Sequence, residues 1–271
     1  MERVKKQMKL GVIGAGNMAK SMVQGILEKK KLWAHEILVS RRNEEALEQW
    51  KQELGVEITT DNCQVAEQAE VLLLAVKPQM MEGVIEEIKD KVRQEQLIIS
   101  IAAGKTISWF EKAFDKKLKM IRAMPNTPAM VGEGCTGYCI SASVTEEEEK
   151  RGREIFYSFG TCYALPESMM DNFSALAGSG PAFAFLFLEA MADGAVFNGM
   201  PRKMAYEIGA QMLLGSAKLV KETGKHPAEL KDMVCSPGGT SICGIRTLEE
   251  RGMRSAVING LNSCVEKSQK L

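Results

Sequence analysis

Gly14, Gly16 and Ala19 stand in the order G-x-G-x-x-A within "LGVIGAGNMAKSM", straight after an apolar run and straight before a helical one. This is the context in which the pattern holds a dinucleotide. Gly14 permits a tight turn, and Gly16 lets a pyrophosphate approach the backbone N–H groups of Ala15, Asn17 and Met18 at a helix N-terminus. Ala19 lets that helix close on the strand. A turn of purely structural meaning is the plainer alternative.

A second cluster, Ser40-Arg41-Arg42, ends the next apolar run, where an NAD enzyme carries an acid for the ribose 2′-hydroxyl. No acid is present. One hydroxyl and two guanidinium groups suit a 2′-phosphate, which favours NADPH with NADH as the weaker partner. Two solvated arginines are the alternative. Asn62, after the third strand, is a further donor toward the adenosine end. Ala75-Val76-Lys77-Pro78 and Ala102-Ala103-Gly104 end the fourth and fifth apolar runs, where open parallel sheets receive their ligands, and are expected to line the ribose and nicotinamide. Lys77 serves equally well as a solvated turn residue.

The elements that must carry these residues are legible as a rhythm. "KLGVIG", "EILVS", "VEIT", "VLLLAV", "LIISIAA" and "LKMIRAM" alternate with helical stretches, which implies a parallel sheet covered on both faces. Thr145 with Glu148 reads as a capping box at a helix start. From about Leu165 the chain reads helical, with breaks expected at "GSGP", "NGMP", "TGKHP", "SPGG" and "ERG". The expected fold class is α/β: a Rossmann-like doubly wound parallel sheet over residues 1–164, then an all-helical domain over 165–271.

The helix from Pro181, "PAFAFLFLEAMADGAVF", is apolar nearly all round and must be enclosed on every side. A domain of this size does not surround it alone, so a second copy of the chain is expected to help; an ordinary bundle core is the alternative. Glu189, Asp193 and Gly194 interrupt the run, which argues for a buried helix over a membrane span.

Lys+Arg and Asp+Glu both number 35, so no net field draws the chain to nucleic acid or anionic lipid. The seven cysteines are scattered with no C-x-x-C pair, which points away from a metal site or disulfide frame and toward a reducing cytoplasm. The opening "MERVKKQMKL" leads directly into the first strand and does not read as a secretion signal.

The hydride acceptor is narrowed by what is missing. Only His35 and His226 are available, and neither lies in a strand-end motif, so a histidine-assisted alcohol oxidation is disfavoured. "GSGPAFAFLFLE" supplies no lysine of the kind that hydroxyacid dehydrogenases use. A protonated imine needs neither group, because its carbon accepts hydride directly.

"MPNTPAMVGEG" (Met124–Gly134), "LAGSGPAFAF" (Leu176–Phe185) and "LKDMVCSPGGTSICGIRTLEE" (Leu230–Glu250) resemble the Δ1-pyrroline-5-carboxylate reductases, in order over nearly the whole chain. The resemblance implies NADPH-dependent reduction of the cyclic imine to L-proline, at a site between the dinucleotide domain and an interleaved helical dimer. It makes Ser236–Ser241 the substrate loop. The chemistry agrees: Gly238 and Gly239 allow a turned backbone whose N–H groups, at a helix start, can hold a carboxylate. A loop that only caps its helix is the alternative.

Ser241 stands where the family usually has Thr and is expected to hydrogen-bond the imine nitrogen, with Thr240 as a second hydroxyl. Ser179 reads either as a helix N-cap before Gly180-Pro181 or as a substrate contact. Asn126 reads either as a nicotinamide contact or as a brace for the "MPNTP" loop. Open alternatives are another cyclic imino acid as substrate, a non-catalytic NADP(H)-binding homologue, and assembly of dimers into a larger oligomer.

Overall fold

A computed structural model describes residues 8–270. The strands and helices alternate as β1 (Met8–Ile13), α1 (Asn17–Glu28), β2 (Ile37–Ser40), α2 (Glu44–Leu54), β3 (Glu57–Thr59), α3 (Asn62–Gln68), β4 (Ala69–Leu74), α4 (Pro78–Ile88), β5 (Leu97–Ser100), α5 (Ile107–Phe114) and β6 (Lys119–Met124). Two further strands, β7 (Gly134–Ile140) and β8 (Gly160–Ala164), flank α6 (Glu146–Tyr157).

The eight strands form one sheet in the order β3-β2-β1-β4-β5-β6-β7-β8. The first six are parallel, and their order reverses beside β1, as in dinucleotide-binding sheets. β7 runs antiparallel to β6 and carries β8 parallel to itself, so the sheet is mixed where the strand rhythm implied a purely parallel one. Alternate residues of the same strands enter opposite cores. Val12, Leu73 and Ile99 belong to one apolar cluster, and Ile13, Leu72 and Ile98 to the other. Thr145 caps α6 as expected, with its hydroxyl accepting from the Glu148 N–H and the Glu148 carboxylate accepting from the Thr145 N–H.

After β8 the chain is helical. α7 (Met170–Phe173) passes through a π-helical turn (Ser174–Ser179) into α8 (Gly180–Phe197), followed by α9 (Arg202–Thr223), α10 (Pro227–Val234), α11 (Thr240–Glu250) and α12 (Met253–Ser268). The break expected at "GSGP" is therefore absent: the backbone stays helical through it by widening one turn, which tolerates Pro181 in a first-turn position.

The chain divides into two compact units. One runs up to Gly178 and is rejoined by the chain from Val265, and the other is Ser179–Cys264. In the second unit α8 packs along α9, and a Cβ on Gly209 would lie 2.6 Å from Leu188 Cδ1. Among the described residues of this unit, the buried apolar side chains are only Ala192, Ala205 and Leu230. Leu186 is 67% exposed and Phe197 91%, and Phe183, Phe187, Met191 and Val257 line an apolar groove of about 610 Å³. Glu167–Phe197 is long and apolar enough to cross a membrane by length and composition.

Candidate active site

The parallel register brings four strand ends to one edge of the sheet. Ile13 lies beside both Ser40 and Leu74, and Leu74 beside Ser100. Backbone bonds continue just past the strands: the Gly14 N–H donates to the Ser40 carbonyl at 3.1 Å, Ala75 to Ile13 at 2.8 Å and Ile101 to Leu74 at 3.2 Å. Gly14–Met18, Ser40–Arg42, Ala75–Pro78 and Ala102–Gly104 are thus gathered at the carboxyl edge.

Gly14 sits at φ +104, and a Cβ there would lie 2.8 Å from the Ala75 carbonyl carbon and oxygen. Only glycine fits this turn. Gly16 differs: it is the exposed N-cap of α1, and nothing lies within 4 Å of where its Cβ would be. No acid stands in the first turn of α1, and the N–H groups of Asn17 and Met18 have no side-chain cap. That arrangement fits an incoming pyrophosphate.

Two of the groups expected to contact the cofactor are engaged within the chain. Ser40 is fully buried, and its hydroxyl donates to Asn62 Oδ1 at 2.7 Å. Asn62 is buried too and donates from Nδ2 to Glu87 Oε2 at 2.9 Å. These two expected ligand groups instead tie β2 to α3 and α4. Arg41 and Arg42 are both exposed, and Arg41 Nη1 donates to the Ala15 carbonyl at 2.9 Å. Lys77 is exposed at the N-cap of α4, while Ala75, Val76, Pro78, Ala103 and Gly104 are half-buried and Ala102 buried.

Asn126 is buried with both ends of its amide engaged. Nδ2 donates to the Ala177 carbonyl at 2.9 Å and Oδ1 accepts the Cys135 N–H at 2.8 Å. Of the two roles open to it, the brace is the one that this geometry builds. The Arg122–Glu167 ion pair went unread in the sequence. Buried Arg122 on β6 meets Glu167 Oε1 at 3.0 Å, and the same oxygen accepts the Ile107 N–H at 2.8 Å at the start of α5. The pairing spans 45 residues, so no local signal marks it.

In the second unit, Gly238 turns the "SPGGTS" loop at φ +69, and the Gly239 N–H closes it on the Ser236 carbonyl at 3.0 Å. A Cβ on Gly239 would lie 2.5 Å from Ser236 Oγ and 3.1 Å from the Ser236 carbonyl oxygen, so the loop is tight at this point. Gly239 then caps α11 in extended conformation with no side-chain cap. The first helical bond is Cys243 N–H to Gly239, which leaves the N–H groups of Thr240, Ser241 and Ile242 without helical partners. Among the described residues, neither the Thr240 nor the Ser241 hydroxyl has a hydrogen-bond partner; Thr240 is exposed and Ser241 half-buried. Ser179 has helical backbone angles and makes no capping bond, which removes its expected part in starting the helix.

Asp61, Cys63 and Glu87 come within 4.8 Å of one another beside α3. Internal bonds account for the group: Asp61 caps the N–H groups of Cys63 and Gln64, and the Cys63 thiol donates to the Glu87 carbonyl.

Residues 167–271 match the pyrroline-5-carboxylate reductase dimerisation family, and residues 9–104 match a family described as NADP oxidoreductase, coenzyme F420-dependent. The pyrroline-5-carboxylate reductase of Methanosarcina acetivorans is 43% identical over 97% of each chain. This chain belongs to the pyrroline-5-carboxylate reductase family. Solved structures of pyrroline-5-carboxylate reductases agree throughout: that from Coxiella burnetii has a TM-score of 0.91 at 34% identity, covering 98% of each chain. The Plasmodium falciparum pyrroline carboxylate reductase, solved with NADP bound, has a TM-score of 0.88 at 30% identity, again covering 98% of each chain.

Proposed function

We propose that this reductase converts Δ1-pyrroline-5-carboxylate to L-proline with NADPH, the closing step of proline biosynthesis, as a cytoplasmic homodimer. The observation that carries this reading is the loop Ser236–Ser241. At the helix start it presents unpaired N–H groups and the free hydroxyls of Thr240 and Ser241, and it carries no titratable side chain. That set suits a substrate with a carboxylate to anchor and a cationic nitrogen that already activates the reacting carbon.

Residues 1–164 would hold the dinucleotide and residues 165–271 the substrate and the partner subunit. The N–H groups at the start of α1 would receive the pyrophosphate, with Gly16 keeping the approach clear. Arg41 and Arg42 would neutralise the 2′-phosphate, while Ala75–Pro78 and Ala102–Gly104 would flank the ribose and nicotinamide. The bound dinucleotide supplies a hydride.

The chain's own residues orient the acceptor. The Thr240 and Ser241 N–H groups hold the carboxylate at the positive end of α11. The Ser241 Oγ accepts a hydrogen bond from the ring N–H, with Thr240 and Ser179 as further hydroxyls. Hydride on the imine carbon and the proton already on nitrogen together give the secondary amine, so no side chain exchanges a proton. Rate acceleration then comes from orientation and from fixed dipoles.

The exposed apolar faces of Leu186 and Phe197 are the surface that a second copy covers, which accounts for a long apolar helix without a membrane. Assembly of dimers into a larger ring is compatible with this arrangement.

NADPH oxidation by the purified chain, with the five-membered imine and its six-membered homologue offered separately, tests the reading. Specificity for the five-membered ring is expected. Preference for the larger ring would reassign the substrate, and inertness toward both would make the chain a non-catalytic homologue.

A further inference from the structure

The π-helical turn contains a backbone gap that the sequence creates. In a regular helix the Ala177 carbonyl accepts the N–H four residues on, and that residue is Pro181, which has none. Asn126 Nδ2 donates to this carbonyl at 2.9 Å from a loop 51 residues away in sequence. The same side chain is buried and held at its other end by the Cys135 N–H, so its amide is fixed in place to serve this carbonyl. Gly178, the next residue, sits close under β6, where a Cβ would lie 3.3 Å from Met124 Cε. Ser179 follows directly. Widened turns of this kind recur at functional sites because they re-aim the side chains around them.

We propose that Asn126 is a positioning residue. It supplies the hydrogen bond that Pro181 withholds from the Ala177 carbonyl, and so holds the π-helical turn and the Ser179 hydroxyl in the conformation that reduction requires. The catalytic part of this inference rests on the proposed reductase function; the anchoring part does not.

The test uses the full chain as Asn126→Ala, Asn126→Asp and the double variant Asn126→Ala/Pro181→Ala, the last returning an N–H to position 181. Three quantities are read: amide hydrogen exchange over residues 174–183, NADPH affinity without imine, and kcat with pyrroline-5-carboxylate. Both single variants are expected to exchange about tenfold faster over this segment. They are also expected to lose about tenfold or more in kcat while NADPH affinity stays within about twofold. The double variant regains most of both losses. Asn126→Asp keeps the acceptor for Cys135 and carries the test if the alanine variant does not fold.

Unchanged exchange with weakened NADPH binding would make Asn126 a cofactor contact and overturn the proposal. So would unchanged exchange and kcat, or a double variant no better than the single. A wild-type chain inactive on the imine would sink the reductase reading, while exchange and its rescue by Pro181→Ala would still decide the anchoring.

Discussion

Arg41 Nη1 lies 2.9 Å from the Ala15 carbonyl, so the first guanidinium after β2 is folded over the glycine turn that follows β1. Arg42 beside it is exposed. The two arginines therefore carry different loads: one steadies the turn and adds charge near it, the other has charge alone to offer. Replacing both with alanine should raise the KM for NADPH by roughly a hundredfold, at about 1.5–3 kcal/mol for a hydrogen bond to a charged group. The KM for NADH should rise far less. Arg42→Ala alone should leave NADH unaffected, whereas Arg41→Ala should weaken both cofactors. Equal losses for both cofactors in the double variant would remove the 2′-phosphate from the account.

Gly14 and Gly16 separate folding from binding. An alanine at Gly14 must enter a left-handed backbone and press on the Ala75 carbonyl at 2.8 Å, so Gly14→Ala should lower stability by about 1–3 kcal/mol. Gly16→Ala projects into open space, so its melting temperature should match wild type while NADPH affinity falls. Thermal melts with and without NADPH read both effects. A Gly16→Ala chain that binds NADPH normally would argue against a pyrophosphate at α1.

This contrast marks what sequence can carry. A fingerprint glycine is legible because the requirement for it is local: a positive φ or a close backbone. The capping box of Thr145 and Glu148 is local in the same way. The burial of Ser40 is not, because it depends on Asn62 at the start of α3, a short helix whose pattern is too brief to stand out. Asn126 is set by partners 9 and 51 residues away, and "SGP" imitates a helix start while the backbone runs through it. β7 went unread because no α-helix separates it from β6, to which it runs antiparallel, and β8 because GTCYA is partly exposed and carries no apolar run.

The apolar surface of α8 predicts the oligomer. Leu186 is 67% exposed in the single chain, so Leu186→Glu should cost nothing within that chain and disrupt the pairing of two. Sedimentation should show a dimer for wild type and monomer for the variant. A variant that stays dimeric would place the interface elsewhere.

Acid should act on stability through Glu148. Partial burial pushes its carboxyl up, but the hydrogen bonds from Lys119 and Thr145 outweigh that and hold it below the ordinary carboxylate value of 4.5. A lowered carboxylate stabilises the fold above its ordinary value, and that contribution is lost as pH falls through the lowered one. Glu148→Gln should therefore be less stable than wild type at neutral pH, with the difference shrinking below about pH 4.5. A pH-independent gap in melting temperature would contradict the assignment.

Ser241 tests the substrate loop. Its hydroxyl has no partner within the described chain, so Ser241→Ala should leave the fold and NADPH affinity intact and lower kcat by roughly ten- to a hundredfold. Ser241→Thr should keep the activity. The pH dependence of kcat should be unmoved by either change, since no titrating side chain is invoked. Unchanged rates in Ser241→Ala would remove this hydroxyl from the reaction.

The central claim is direct hydride delivery to an imine carbon, and isotope transfer tests it most directly. NADPH deuterated at both hydrogens of its reactive nicotinamide carbon should yield L-proline carrying one deuterium at the former imine carbon, with no label on nitrogen. Proline formed without deuterium, or deuterated cofactor left unconsumed in the presence of the five-membered imine, would contradict it.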